Sequence, residues 1–112
     1  MLHTIRLKRS DDFKNVFENG RYLSNEYFVV YYFKNGLNYN RVGFSSSKRI
    51  GKKVRRNRAK RLLKEVYRIN EENIKKGYDI VLIARDGIFE VDFYKLQETF
   101  ILTLKRGNLI AD

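Results

Sequence analysis

The strongest constraint on this fold is a positively charged segment in the middle of the chain, from Lys48 to Arg68. It holds eleven lysine or arginine residues and one acid, Glu65, so it carries +10 of the chain's net charge of +11. The remaining thirteen basic and twelve acidic residues nearly cancel. So many like charges cannot be buried, and their repulsion destabilises a compact state. The segment is therefore expected at the surface, and a polyanion such as nucleic acid is the ligand that would relieve the repulsion.

The length and composition of the chain indicate one small folded domain. Its 112 residues suffice for a single core, and 43% of them are hydrophobic and 14% aromatic. With no cysteine and one histidine, the sequence excludes disulfide bonds and thiolate or multi-histidine metal sites. The N-terminus, MLHTIRLKRS, lacks the apolar run of a signal peptide, and no stretch is long enough to span a membrane. A cytoplasmic location without membrane contact is expected.

The first half of the sequence predicts a helix followed by strands. Ser10 is expected to cap a helix that runs through DDFKNVFEN and stops at Gly20. The residues from Tyr27 to Phe33 form an unbroken aromatic and β-branched run, which is typical of a strand, and a short strand is expected around Arg21 to Leu23. After an Asn-Gly turn, the alternating pattern from Tyr39 to Ser45 predicts another strand. The two longer strands are interpreted as a hairpin.

The second half predicts two helices around a buried strand. From about Arg55 to Lys75, apolar residues recur with helical period on one side and basic residues on the other. Apart from Asp79, the run YDIVLIA, residues 78–84, is apolar, which is typical of a central strand covered on both faces. Asp92 is expected to cap a last helix that ends near Gly107. The basic helix is thus a crossover between strands, and the fold class is α/β.

Two surfaces of this predicted fold are candidates for RNA binding. Basic side chains at helical spacing can follow phosphates along a strand, and arginine adds a planar fork for phosphate oxygens. Asn57 stands among these bases and can reach a base edge or a sugar hydroxyl. The aromatic candidates are Phe13 and Phe17 on the first helix and Tyr27, Val29, Tyr31 and Phe33 on one face of the long strand. Unpaired bases stack on such rings, but the same spacing is also typical of core, which composition alone favours.

The segment GFSSSKRIGKKVRRNRAKRLLKE, from Gly43 to Glu65, resembles the signature of the protein subunit of bacterial ribonuclease P. The specific part of the match is RNR at 56–58 followed by Lys60 and Arg61, and the flanking segments DFKNVF, EYFVVYY and DIVLIAR agree with it. The resemblance implies one α/β domain of order αβββαβα, with a central mixed sheet. It also implies a left-handed βαβ crossover through the basic helix, a rare arrangement that nothing else in the sequence predicts.

The resemblance further implies a role in transfer RNA maturation. In that family the protein pairs with a large catalytic RNA that removes the 5′ leader from precursor tRNA. The RNA and its Mg²⁺ ions carry out the cleavage, and the protein helps to hold the substrate. The chain would then be a subunit of a ribonucleoprotein endonuclease without catalytic residues, a metal site, a cofactor or an obligatory protein partner of its own.

The functional positions of the family map onto residues of this sequence. Those implied to contact RNA are Lys48, Lys52, Arg56, Asn57, Arg58, Lys60, Arg61 and Lys64, with Arg68 on the same polar face of the helix. Phe13, Phe17 and Tyr31 match the family's leader-binding cleft, which moves them from the core interpretation toward a functional one. Ser46 and Lys53 depart from the usual pattern, so local packing is expected to differ there.

Other functions compete with this interpretation. Ser45 and Lys48 have the SxxK spacing of some acyltransferases, but the companion motifs are missing and the chain is too short for that fold. The carboxylates that could bind metal ions for RNA cleavage are Asp11, Asp12, Asp86 and Asp92. Their positions are better explained as helix caps and turns. A ribosomal protein or general RNA chaperone would share charge, size and fold class, and only the motif separates it from a ribonuclease P subunit.

Overall fold

A five-stranded mixed sheet and three helices make up the fold in the computed structural model, which describes residues 3–111. The strands are β1 (Thr4–Arg6), β2 (Arg21–Ser24), β3 (Phe28–Lys34), β4 (Asn40–Ser46) and β5 (Tyr78–Ala84). The helices are α1 (Ser10–Asn19), α2 (Lys53–Asn70) and α3 (Phe93–Arg106). The strand order is β1-β4-β5-β3-β2. Within residues 3–111, no helix combines the length and the apolar character that crossing a membrane requires.

The apolar strand β5 lies at the centre of the sheet, as its sequence predicts. It pairs in parallel with β4 and antiparallel with β3 along the full length of β3. The predicted hairpin between β3 and β4 is therefore wrong, because β5 lies between them. An apolar strand gains most burial with a neighbour on each side, and this outweighs the local preference of the short turn. The hairpin that forms joins β2 to β3.

The sequence does not predict β1, which lies at one edge of the sheet. Its residues Thr4–Arg6 pair in parallel with the start of β4, and the N–H of Leu7 extends the pairing by donating to the carbonyl of Val42 at 2.9 Å. A three-residue strand is too short to show a hydrophobic period. The observed order is therefore βαβββαβα, which is the implied order with one strand added at the beginning.

The two faces of the sheet are covered by different helices, and each has its own core. α2 and α3 cover the face to which Val30 and Leu82 belong, and this core is the larger one. α1 covers the opposite face, where Leu7, Val16 and Val81 are buried. Because side chains alternate along a strand, neighbouring residues of β3, β4 and β5 belong to different cores. An exposed side chain on the sheet therefore lies either beside α1 or beside α2 and α3.

The ends of α1 and α3 test two capping predictions. The N-cap position of α1 is Arg9, and the helix has no side-chain cap, so the predicted cap at Ser10 is wrong. Ser10 is instead the first helical residue, too late to accept from the free N–H groups of the first turn. Asp92 caps α3 as predicted by accepting a hydrogen bond from the N–H of Lys95 at 2.8 Å.

The basic helix α2 connects the parallel strands β4 and β5, as predicted. It begins at Lys53 and ends at Asn70, five residues before the predicted end. A 3-10 helix at Glu71–Asn73 follows, and Gly77 then adopts a φ of +97° before β5. This left-handed conformation favours glycine and lets the chain turn back along the sheet. The handedness of the crossover stays the prediction that the family resemblance makes.

Candidate RNA interface

The basic side chains of α2 lie on the surface because the opposite side of the helix is buried. Leu63, Val66 and Tyr67 face the larger core. The exposed members of the predicted RNA-binding set are Lys48, Lys52, Arg58, Arg61 and Arg68, and the half-buried members are Arg56, Asn57, Lys60 and Lys64. All nine predicted positions therefore lie along one helix and the turn before it, where a ligand strand could contact several at once.

The turn before α2 depends on Ser47 and Gly51. The hydroxyl of Ser47 accepts a hydrogen bond from the N–H of Arg49 at 3.2 Å and begins a 3-10 helix at Lys48–Ile50. Gly51 follows with a φ of +81°, a conformation that side chains rarely adopt. Ile50 is buried in the larger core and anchors the turn. This geometry fixes the position of Lys48 relative to the helix.

Most of the positive charge on this surface lacks an internal partner. Arg68 is the exception, since its Nε lies 3.2 Å from Oε2 of Glu65, and this pairing lowers the pKa of Glu65 and raises that of Arg68. Within residues 3–111, the other ten bases of the segment from Lys48 to Arg68 form no ion pair. Their charges are thus available to an external anion, and Arg68 must share its guanidinium with Glu65.

Lys64 lies in a cluster of like charges that reaches beyond α2. Its pKa is lowered, first by partial burial and then by repulsion from Arg6, Lys60 and Arg61. Arg6 belongs to β1, and its guanidinium carbon lies 5.2 Å from the ring centroid of Phe44. The sequence did not single out Arg6, because the strand that carries it was not predicted. An anion bound here would offset the repulsion and raise the pKa of Lys64 again.

The arginines at the start of α2 have unusual surroundings. The guanidinium carbons of Arg55 and Arg58 lie 4.3 Å and 5.9 Å from the ring centroid of Phe89, which follows β5 in a short 3-10 helix. Cation–π contacts of this kind restrict the two side chains to one region of the surface. Arg56 has a buried Nε without a hydrogen-bond partner among residues 3–111. The fold therefore positions these guanidinium groups without satisfying all of their donors.

An aromatic row lies on the other face of the sheet, beside α1. The ring of Phe17 lies 6.5 Å from that of Phe13 and 4.9 Å from that of Tyr31, and the ring of Tyr22 lies 5.4 Å from that of Tyr31. Phe17 is 43% exposed and Tyr22 is 63% exposed. The three predicted cleft residues are thus brought together, and Tyr22 joins them although sequence reasoning missed it. We call Phe13, Phe17, Tyr31 and Tyr22 the aromatic row.

The sequence left open whether the aromatic side chains pack in a core or bind RNA, and Phe13 and Tyr31 fit both interpretations. Phe13 and Tyr31 pack partly against the smaller core while remaining accessible from outside. A Cβ atom added to Gly43 would lie 2.4 Å from the Phe13 ring, so the ring rests directly on the backbone of β4. Tyr27 was expected on the same face, but this is wrong, because it precedes β3 and packs against the larger core.

An ion-pair network around the buried carboxylate of Asp79 attaches α1 to the sheet. Arg41 on β4 donates to both carboxylate oxygens of Asp79 on β5, at 2.8 Å and 2.6 Å, and Asp79 is 1% exposed. The same guanidinium lies 3.6 Å from Asp12 in α1. The amide of Asn35 also donates to Asp79 at 3.0 Å. These contacts fix the first turn of α1, and with it Phe13, relative to the sheet.

The carboxylates that were candidates for metal ions lie at the starts of helices, with Asp11 and Asp12 in the first turn of α1 and Asp86 in the 3-10 helix after β5. Asp12 contacts Arg41, and Asp92 caps α3. Among residues 3–111, no group of three or more acidic or histidine side chains could hold a metal ion. Their positions match the explanation as helix and turn residues.

Comparison with known proteins was informative over nearly the whole chain. The family model described as Ribonuclease P matches residues 1–107. The "Ribonuclease P protein component" of Caldanaerobacter subterraneus subsp. tengcongensis is 48% identical over 107 residues, covering 96% of this chain and 92% of the relative. The protein of the same description from Alkaliphilus oremlandii is 41% identical over 105 residues, covering 94% and 92% of the two chains.

Solved structures agree with the sequence matches. The ribonuclease P protein of Thermotoga maritima superimposes with a TM-score of 0.81 at 42% identity, covering 90% of this chain and 96% of the other. That of Staphylococcus aureus has a TM-score of 0.81 at 30% identity and covers 94% and 96%. The basic helix, the aromatic row and these matches together show that the chain belongs to the ribonuclease P protein family.

Proposed function

We propose that this chain supports 5′ maturation of transfer RNA by binding the catalytic RNA along α2 and the leader of precursor tRNA along the aromatic row. Membership of the family makes the chain a protein component of ribonuclease P, with ribonuclease P RNA as its partner. In the proposal the RNA and its Mg²⁺ ions break the phosphodiester bond. The protein contributes binding energy and position, and it acts in the cytoplasm.

The observation that carries the proposal is the basic surface of α2, whose charges are mostly unpaired. Ten of the eleven bases from Lys48 to Arg68 lack an ion-pair partner within residues 3–111. Lysine and arginine bind phosphates by displacing condensed counterions, so each contact adds affinity that falls with salt. Asn57 lies half-buried among them and can donate to or accept from a base edge or a sugar hydroxyl.

The aromatic row supports the leader as the second ligand. A leader is single-stranded, and unpaired bases stack on exposed aromatic rings with about 1 to 3 kcal/mol each. Phe17 and Tyr22 offer exposed ring surface, while Phe13 and Tyr31 are held partly by the smaller core. Rings held in this way lose little conformational freedom when a base stacks on them.

A ribosomal protein or general RNA chaperone was the competing interpretation of the charge and size. The family match favours the ribonuclease P role over it. The proposal therefore assigns the chemistry to the RNA partner.

Cleavage of a precursor tRNA by the cognate catalytic RNA at low Mg²⁺ tests the proposal. Three mixtures are compared: RNA alone, protein alone, and RNA with protein. We expect a much higher rate with both components than with RNA alone, because the protein's cations reduce the repulsion between the two RNAs. Protein alone should be inactive.

Two results contradict the proposal. An equal rate with and without protein would show that the chain does not support this reaction. Cleavage by protein alone would show that the protein contains the catalytic groups, provided that the activity persists after contaminating ribonucleases have been removed. A variant that removes three of the positive charges of α2, with Arg58→Gln, Lys60→Gln and Arg61→Gln, should lose the stimulation.

A further inference from the structure

A second cluster of exposed cations lies outside the central basic segment, where β1 leads into α1. The sequence from position 6 to position 9 is RLKR, and Arg6, Lys8 and Arg9 are all exposed. Leu7 between them is 5% exposed and belongs to the smaller core. Its backbone is also held by the hydrogen bond to Val42. The three charges therefore project from a segment that is fixed to the edge of the sheet.

This segment lies between the basic surface of α2 and the aromatic row. Arg6 is on the α2 side, since it stacks over Phe44 and lowers the pKa of Lys64. Arg9 occupies the N-cap position of α1, the helix that carries Phe13. α1 and α2 cover opposite faces of the sheet, and β1 is the edge strand next to β4. The cations at positions 6, 8 and 9 thus lie along the edge of the sheet at β1, between its two faces.

Internal carboxylates do not neutralise these charges. Within residues 3–111, none of the three takes part in an ion pair. The nearest acids along the chain are Asp11, which is exposed, and Asp12, which contacts Arg41. Arg6 also adds to the repulsion on Lys64, so its position costs stability in the absence of an anion.

We propose that Arg6, Lys8 and Arg9, the basic edge, bind backbone phosphates of the catalytic RNA and extend the α2 surface around β1. This inference rests on the proposed function. The catalytic RNA is the assigned ligand because Arg6 faces the same cluster of charges as Lys60 and Lys64. Phosphates bound there neutralise both groups of cations together.

The test is a triple variant, Arg6→Gln with Lys8→Gln and Arg9→Gln, whose affinity for the catalytic RNA is measured between 50 and 200 mM salt. Each lost phosphate contact should reduce the slope of log affinity against log salt by about 0.7 to 0.9, so the slope should fall by about 2 to 3. At 50 mM salt we expect roughly a hundredfold weaker binding, and at 200 mM the loss should shrink to about a few-fold. The preference for leader-bearing precursor over mature tRNA should stay as in the parent protein.

The matched control removes the same charge elsewhere, with Arg21→Gln in the opposite edge strand β2, Lys34→Gln at the end of β3 and Arg106→Gln at the end of α3. These side chains are exposed and form no ion pair within the described residues. The control should keep the parent's slope. Thermal unfolding checks that both variants fold, and the exposed pair Lys8→Gln with Arg9→Gln replaces the triple variant if Arg6→Gln unfolds it.

Three results overturn the inference. The basic-edge variant could bind the catalytic RNA as the parent protein does. The control could lose as much slope as the basic-edge variant, which would show a general effect of net charge. Alternatively, the loss could be confined to leader-bearing precursor, which would assign the edge to the substrate. Failure of the parent protein itself to bind the catalytic RNA would refute the proposed function instead, and the parent is measured in the same series.

Discussion

The positive charge of Lys64 has opposite effects on the stability of the free protein and on RNA binding. Its pKa is lowered by partial burial and by Arg6, Lys60 and Arg61, so the folded state disfavours its positive charge. This cost is present at neutral pH, where lysine is protonated, and it disappears as the pH rises from the lowered pKa to the ordinary value of 10.5. A phosphate at the same place would reverse the balance.

We therefore predict that Lys64→Gln stabilises the free protein at low salt while weakening its binding to RNA. The gain should be small, on the order of 0.5 kcal/mol, because the site is partly exposed to solvent. Urea unfolding at neutral pH and an RNA titration measure the two effects. Loss of stability in the variant would mean that the aliphatic part of the side chain, rather than its charge, matters at this position.

The aromatic row makes a prediction that separates leader binding from packing. Phe17→Ala should weaken binding of leader-bearing precursor by about tenfold or more, because a stacked base is worth about 1 to 3 kcal/mol. Mature tRNA, which lacks the leader, should bind as before. Tyr94→Ala is the control, since Tyr94 is 78% exposed on α3 and takes no part in the row. Equal losses for both RNAs would restore the interpretation of Phe17 as a core residue.

Tyr22 and Arg6 are residues of the candidate surfaces that could not be predicted from the sequence. The basic residues of α2 could be predicted as candidates because they are close in sequence and form a specific motif. Tyr22 joins the aromatic row only because β2 pairs with β3 in a register that places it opposite Tyr31. Arg6 reaches the α2 surface through the pairing of β1 with β4. Strand register sets both contacts, and it does not appear in local patterns.

Among the elements, the segment after β5 supports the start of α2 through Phe89. We predict that Phe89→Leu, which keeps an apolar side chain but removes the ring face, weakens RNA binding by about two- to fivefold. This loss corresponds to about 0.5 to 1 kcal/mol, which is typical of an exposed cation–π contact. It is expected because the ring would no longer hold the guanidinium groups in place. The affinity for the catalytic RNA is the measurement.

A double-variant experiment identifies the route of this effect. In a background with Arg55→Ala and Arg58→Ala, Phe89→Leu should cause no further loss of affinity. A full additional loss there would show that Phe89 acts through the larger core, against which it also packs.

The docking of β1 against α2 makes a prediction about pH. The hydroxyl groups of Thr4 and Tyr67 lie 2.9 Å apart, and burial raises the pKa of Tyr67 above its ordinary value of 10.0. Protonated Tyr67 therefore stabilises the fold fully below pH 10, and this contribution is lost as the pH rises through the raised pKa. The free energy of unfolding should fall more between pH 8 and pH 11 in the parent than in Tyr67→Phe. Parallel curves would refute a role for this hydroxyl.

At the level of elements, the sequence predicted which segments form helices and strands better than it predicted which strands pair with one another. The bounds of β5 and its central place followed from a run that is apolar apart from Asp79. The partners of β3 and β4 did not follow, because a short turn between two strands favours a hairpin locally while the gain from inserting β5 is non-local. The end of α2 was placed too late because Ile74 fits the helical period, although it is buried beyond the helix in a β-bridge with Ile110.

For the whole molecule, the uneven charge predicts opposite effects of salt on the free and bound protein. Raising NaCl from about 20 to about 200 mM should raise the melting temperature of the free protein, because ions screen the repulsion within the +10 segment. With catalytic RNA present, the same change should lower it, because bound RNA dissociates and its stabilisation is lost. Thermal unfolding with and without RNA measures both. Salt effects of the same sign would contradict the assignment of the segment to RNA.

The position of β5 in the sheet also has a consequence during synthesis of the protein. The strand that joins β4 to β3 comprises residues 78–84, so the ribosome releases it only after both of its neighbours and the whole of α2. Until then a nascent chain carries its cationic helix without a completed sheet to pack against. For that interval the most positive part of the molecule lacks the central strand of the sheet that it covers, and it emerges beside ribosomal RNA.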